Sequence, residues 1–214
     1  TLRVNYTAPT LTRVIFSGNT AARGGGLFTQ NSSPVLVDVT FVGNIANGGA
    51  GGGMNNQVLN EVVDEYSIPI LTNVTFSGNI ANGGDGLFNN KSNAVLENVT
   101  FSGNTANIRG GAILNEGADP ILRNVTIGGN TAPAGFGGSI RNVKNAAGAS
   151  SNPKIYNSIL WGNGSEEITS DGTGSTTIVD SVIQGGFVGG TNIITTNPLL
   201  GVLANNSGFT QTKA

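Results

Sequence analysis

The chain has 214 residues, a formal net charge of −2, 10% charged residues, 34 glycines, and neither cysteine nor histidine. That composition excludes disulfides and thiolate metal sites, removes the commonest general base and transition-metal ligand, and argues against the basic footprint of a nucleic-acid or acidic-membrane binder. No apolar run reaches the length of a membrane span, and the start at Thr1 and finish at Ala214 read as a piece of a longer polypeptide.

The first predicted unit opens near Pro9 and carries Phe16-Ser17-Gly18-Asn19, a phrase that then recurs along the chain. It returns as Phe41-Val42-Gly43-Asn44, Phe76-Ser77-Gly78-Asn79, Phe101-Ser102-Gly103-Asn104, Ile127-Gly128-Gly129-Asn130 and Leu160-Trp161-Gly162-Asn163. Later units open near Pro34, Pro69, Ala94, Pro120 and Pro153, and a degenerate seventh begins at Thr177. A unit of about 25 residues signals stacked coils, each touching only its neighbours. Within a unit, alternation such as Val74-Thr75-Phe76-Ser77 has the period of a strand. Gly and Asn every few residues would break any helix. The reading is all-β: a right-handed single-stranded parallel β-helix (β-solenoid) of about seven coils, forming one domain over residues 1–214. Insertions at 56–67 and 142–152 lengthen two coils; both leave the same corner and are expected on one edge, about three coils apart.

Side chains alternate across a strand, so Leu71, Val74, Phe76, Ala81 and Leu87 are predicted inward, with their equivalents stacked one strand spacing above and below. Leu36, Leu71, Leu96 and Leu122 make an aliphatic column, Phe16, Phe41, Phe76 and Phe101 an aromatic one, and Ala21, Ala46, Ala81, Ala106 and Ala132 a small one. Three asparagine ladders are expected at the corners. One holds Asn73, Asn98, Asn124 and Asn157, with Arg13, Asp38 and Asp180 as variants. A second holds Asn19, Asn44, Asn79, Asn104, Asn130 and Asn163. The third holds Asn56, Asn89, Asn115 and Asn142. An Asn amide both donates and accepts, and its residue tolerates left-handed geometry. The Asn-Val-Thr triplets match the N-glycosylation pattern, but their Asn is expected to be a buried ladder member.

Chemistry is left to whatever protrudes. For polysaccharide cleavage the candidate carboxylates are Glu61, Asp64 and Glu65 on the first insertion, above Asp85 and Arg109, in the acid–base arrangement used on a sugar bond. The competing reading is solvated loop charge. Calcium needs several converging oxygens, and no such spacing occurs, so no cofactor or metal is expected. Pairs one rung apart, Arg13 with Asp38 and Glu97 with Arg123, suggest register-setting ion pairs. Outward Thr40, Thr75, Thr100 and Thr126 form a rank that raises ice binding as an alternative, although Thr is an ordinary outer-face strand residue. Tyr66, Phe88 and Trp161 are the candidates for stacking on a glycan.

The pairing of Phe-x-x-Asn with Gly110-Gly111-Ala112-Ile113, and with Gly137-Gly138-Ser139-Ile140, resembles the repeat of the chlamydial polymorphic outer-membrane proteins. The stretch Asn157-Ser158-Ile159-Leu160-Trp161-Gly162-Asn163 and the tail from Asn197-Pro198-Leu199-Leu200 to Gln211-Thr212 resemble the end of the β-helix in bacterial choice-of-anchor surface proteins. The resemblance implies an exported bacterial chain, secreted or held at the cell surface, and carries over no catalytic residue. The expectation is a non-catalytic structural or adhesive rod that meets glycans or other surface components and whose open coil ends self-associate end to end.

Overall fold

The computed structural model describes residues 1–5, 7–59, 67–164, 166–172 and 174–213. All regular structure is β, in three sheets whose named strand pairs are parallel. A seven-stranded sheet runs from Leu2–Asn5 through Leu27–Gln30, Met54–Gln57, Leu87–Asn90, Ile113–Glu116 and Ile140–Val143 to Ile168–Ser170. A four-stranded sheet stacks Thr20–Ala21, Ile45–Ala46, Ile80–Gly83 and Thr105–Arg109. A twelve-stranded sheet closes the third side. The chain visits the three in turn on four successive coils, and the later coils add strands to the seven- and twelve-stranded sheets alone, which makes a right-handed parallel β-helix. The two insertions begin slightly later than the sequence suggests, because pairing continues through Gln57 and Val143.

The twelve-stranded sheet is bent along its length. Val35–Val42 and Ile70–Ser77 cross the bend as single strands, whereas Val95–Glu97 and Thr100–Ser102 are separated by it. The bend residue is left-handed on every coil: Arg13, Asp38, Asn73, Asn98, Asn124, Asn157 and Asp180 have φ between 47° and 56°. One residue in that conformation resets the alternation. Leu71 faces inward before Asn73, and Val74 and Phe76 face inward after it. This is the physical content of the Leu-x-Asn-Val-Thr-Phe phrase.

Stacking fills the lumen. Successive rings of Phe16, Phe41, Phe76 and Phe101 lie 4.7–4.8 Å apart and within 6° of parallel. Strand spacing imposes this face-to-face geometry, although free aromatic pairs favour an offset or edge-on arrangement. Ile127, Leu160 and Ile183 continue the column. Leu36, Leu71, Leu96 and Leu122 are buried in register, and Ala46, Ala81 and Ala106 are buried in the narrow corner, flanked by half-buried Ala21 and Ala132.

Two of the ladders are internal. In the longer one, Nδ2 of Asn19, Asn44, Asn79, Asn104 and Asn130 donates to Oδ1 of the next Asn at 2.7–3.0 Å. Each accepting Oδ1 also takes the backbone N–H of the Asn below. From Asn44 on, each Nδ2 also reaches the carbonyl of the column residue one coil back, as Asn104 does to Phe76. The upper end closes on a carboxyl: Asn163 Nδ2 donates to Glu167 Oε2 at 2.8 Å, and Ser139 Oγ donates to the same oxygen. Burial raises the Glu167 pKa above the ordinary value, partly offset by these donors. The second internal ladder runs from Asn56 through Asn89 and Asn115 to Asn142 at 2.9–3.1 Å and ends on the Ser170 and Thr176 hydroxyls.

The remaining ladder corrects the sequence reading. Asn98, Asn124 and Asn157 are exposed, and Asn73 is half-buried. Because each occupies the outward bend, its amide bonds a neighbour in front of the sheet, outside the lumen. Donation also runs the other way, from Asn157 down to Asn73 and finally to the Asp38 carboxylate. The Asn-Val-Thr sequences therefore present surface amides.

Candidate functional site

The outer face of the bent sheet is not free. Residues 195–213 fold back along it as a strap, closed by an antiparallel bridge between Ala204 and Thr212. Thr75 Oγ1 donates to the Gln211 carbonyl at 2.6 Å, and the Arg13 guanidinium lies 4.7 Å from the Phe209 ring centroid. Thr75 and Thr100 are left 1% and 4% exposed. The rank suggested for ice binding is thus covered at its centre. Trp161, a candidate glycan platform, lines a hollow with Leu199, Leu200 and Lys213 of the strap. Replacing Phe209 with alanine removes a cation–π contact worth under about 1 kcal/mol at an exposed site. Limited proteolysis should then cut within 196–213 several times faster while hydrogen exchange of the sheet amides stays unchanged.

The ion pairs expected on this side are not formed. Asp38 accepts the Asn73 amide while Arg13 turns to Phe209. Glu97 and Arg123 do share a register, but Arg123 lies over Tyr156 at 5.6 Å. At an outward bend or an exposed strand, an aromatic face near the guanidinium competes with a screened carboxylate.

A second outer face belongs to the seven-stranded sheet, where Phe28, Asn55, Phe88 and Leu114 are nonetheless buried. Its pairing sets Arg3, Phe28, Asn55, Phe88, Leu114, Arg141 and Thr169 in one outward column, one residue per rung. Asn5, Gln30, Gln57, Asn90 and Glu116 make a parallel polar column two residues on. Where the four-stranded sheet meets this face, a groove of ≈ 420 Å³ opens with Phe88 and Leu114 as its floor. Phe88 is nearly buried there, beside Leu114 and Val143. Arg109 pairs with Glu116 at 2.7 Å, Asn90 donates to the other Glu116 oxygen at 2.9 Å, and Arg23 also lines the groove. Farther up the column a second trough of ≈ 540 Å³ is lined by Arg141, Glu166, Thr169 and Gln184.

Of the residues named for polysaccharide cleavage, Arg109 lines the groove, and the structure does not bring Asp85 beside it. Asp85 is fully buried at the corner position that Gly25, Gly52, Gly111 and Gly138 occupy on other coils. Burial pushes its pKa up to about 9, the nearby amides of Ala81 and Asp85 offset only part of this, and neither carboxyl oxygen completes a hydrogen bond. A neutral carboxyl without access to solvent cannot pair with a surface arginine. Glu61, Asp64, Glu65 and Tyr66 lie outside the described residues. Among the described residues no group of three or more acidic side chains comes together as a metal site, and no helix is long and apolar enough to cross a membrane. Sequence reading missed Asn55, Arg141 and Thr169, whose shared column follows only once the rungs are aligned, and Arg23, which lines the lower groove.

A family model for the Chlamydia polymorphic membrane protein repeat matches residues 98–116. No curated protein and no solved structure matches the chain. The matched stretch is one coil from its outward bend to the end of its strand in the seven-stranded sheet, and each signature residue has a physical reason. Phe101 is a stacked ring and Asn104 a ladder rung. Gly110 has φ +67°, and a Cβ on Gly111 would meet the Thr131 carbonyl oxygen at 2.7 Å. Ala112 and Ile113 are fully buried. In general terms, the chain carries a repeat of the kind found in bacterial surface proteins.

Proposed function

We propose that this chain is a non-catalytic structural and adhesive rod of a bacterial cell-surface or secreted protein, with the outer face of the seven-stranded sheet as its contact surface. The observation that carries this reading is the unbroken internal ladder from Asn19 to Asn163 beside a continuous apolar column. Such an interior supplies stiffness and reach and leaves the outer side chains free to vary. Glycans or other surface components are the partners, the rod needs no cofactor, and its sheet edges allow end-to-end association. Surface labelling of intact source cells with an antibody to this chain tests the location; signal only after lysis overturns it. Incubation with pectins and alginates, with and without calcium, tests the mechanism. No new chain ends are expected, and turnover lost in Arg109→Ala would establish cleavage instead. Size-exclusion chromatography over a concentration series tests association, and a constant monomer at high concentration rejects it.

A further inference from the structure

The outer ladder differs from the longer inner one in how many amide hydrogens it uses. An Asn amide nitrogen carries two. Asn130 Nδ2 gives one to Asn163 Oδ1 and one to the Phe101 carbonyl, and Asn163 Nδ2 gives its two to Glu167 and the Ile127 carbonyl. On the outward bend, Asn124 Nδ2 donates once, to Asn98 Oδ1 at 3.2 Å, while its oxygen accepts Asn157 Nδ2 at 2.6 Å. An oxygen bonded upward and a hydrogen bonded downward fix which hydrogen is used: the one opposite to the C=O. The other, trans to Cβ, has no protein partner among the described residues, and the exposed side chain turns it to solvent. Asn124 also heads the triplet Asn124-Val125-Thr126, with a left-handed φ of 54°, Val125 buried and Thr126 half-buried. Asn73-Val74-Thr75 and Asn98-Val99-Thr100 have the same spelling but are not equally open. Asn73 and Asn98 line a hollow with Asn206, Phe209 and Thr212 of the strap, and Thr75 and Thr100 are buried.

We propose that Asn124 is an N-glycosylation site. Asn with Thr two residues on is the acceptor pattern; exposure and the unused hydrogen are what the structure adds. A secondary amide strongly prefers trans, so a sugar on Nδ2 replaces the hydrogen trans to Cβ, outside the ladder. The hydrogen that remains is the one already bonded to Asn98, and the oxygen still receives Asn157, so the modification breaks no rung. The donor is a sugar carried on a nucleotide- or lipid-linked diphosphate, brought by a transferase of the source cell. The Nδ2–C1 bond forms as the C1–O bond to the diphosphate breaks. The diphosphate leaves with the electron pair, the displaced Nδ2 proton goes to a base of the transferase, and nothing is oxidised or reduced. Asn163-Gly164-Ser165 spells the same pattern on the inner ladder, but there the amide is buried and both hydrogens are taken. A sugar at Asn124 hydrates the outer face of the bent sheet, a property beyond the rod reading that requires neither adhesion nor association.

The test is mass spectrometry of the chain purified from its source cells. Trypsin cuts after Arg123 and Arg141, so Asn124 heads a peptide of residues 124–141. That peptide is expected to be heavier by whole sugar units, with electron-transfer fragmentation placing them on Asn124 and not on Asn130. Asn163 is expected to carry none. Thr126→Ala should abolish the mass gain and Thr126→Ser should retain it; circular dichroism verifies that both variants are folded. An unmodified peptide from source cells, a sugar on Asn163, or a gain that survives Thr126→Ala would overturn the proposal. Surface labelling reads where the chain resides and this measurement reads what it carries, so either reading can fail without the other.

Discussion

Replacing Asn104 with alanine should destabilise the middle of the rod by about 3–5 kcal/mol. The Asn104 amide donates to Asn130 Oδ1 at 2.7 Å and to the Phe76 carbonyl at 3.1 Å, and its oxygen accepts both the Asn79 amide and the Asn79 backbone N–H. Alanine leaves two donors on one side and a carbonyl on the other buried without partners, at about 1–3 kcal/mol each. Asn98→Ala removes an outer rung whose partners can turn to water, so its cost should stay near 1 kcal/mol. Stability in a solenoid is a sum of coils and interfaces, so amide hydrogen exchange around Phe76 to Asn130 is the sharper measurement, with the denaturant midpoint as a companion. Equal losses in the two variants would show that burial of the inner ladder does not set its strength.

The second large effect concerns Asp85. Its carboxyl ionises near the ordinary 3.8 when unfolded and at about 9 when folded. Between those values the folded chain holds a proton that the unfolded chain has lost. Stability must then fall as pH rises, by at most about 1.4 kcal/mol per unit, and level off above pH 9. Below the unfolded value both states are protonated and the penalty vanishes. Asp85→Asn deletes the titration, and Asp85→Gly restores the residue found at this corner on other coils. Both variants should be more stable than the parent by about 2–4 kcal/mol at pH 8, with the difference shrinking towards pH 4. Urea unfolding at several pH values reads this directly; parallel profiles for parent and variants would mean that the carboxyl reaches water.

The coil architecture was legible because each unit repeats its demands at a near-constant interval, and every column read from that interval is in register. Burial of the ladders was not equally legible, since an outward-bend Asn and a lumen Asn look alike. The distinguishing sign was already in the variants: Arg13, Asp38 and Asp180 share the bend position, and a lumen could not hold three charges. Asp85 was misread for the converse reason. A carboxylate suggests a surface, but its neighbours Gly84 and Gly86 place it in the crowded glycine corner. The strap had no period to betray it, because its contacts follow from where the tail folds back over Thr75 and Arg13. The outward column through Asn55 and Arg141 draws on residues from different coils whose types do not repeat, so the phrase that revealed the fold concealed it.

The internal ladder gives every coil the same lower and upper face: an amide oxygen waiting below and an amide N–H₂ offered above. Asn79 meets Asn104 across 25 residues, and Asn104 meets Asn130 across 26, with the same bonds. A gene duplication or loss that adds or drops one whole such block would join matching surfaces and leave no rung unmatched. The reach of the molecule can therefore be lengthened or shortened in steps of one coil without redesign of the interior, until Glu167, which offers a carboxyl in place of the next amide, brings the series to a stop.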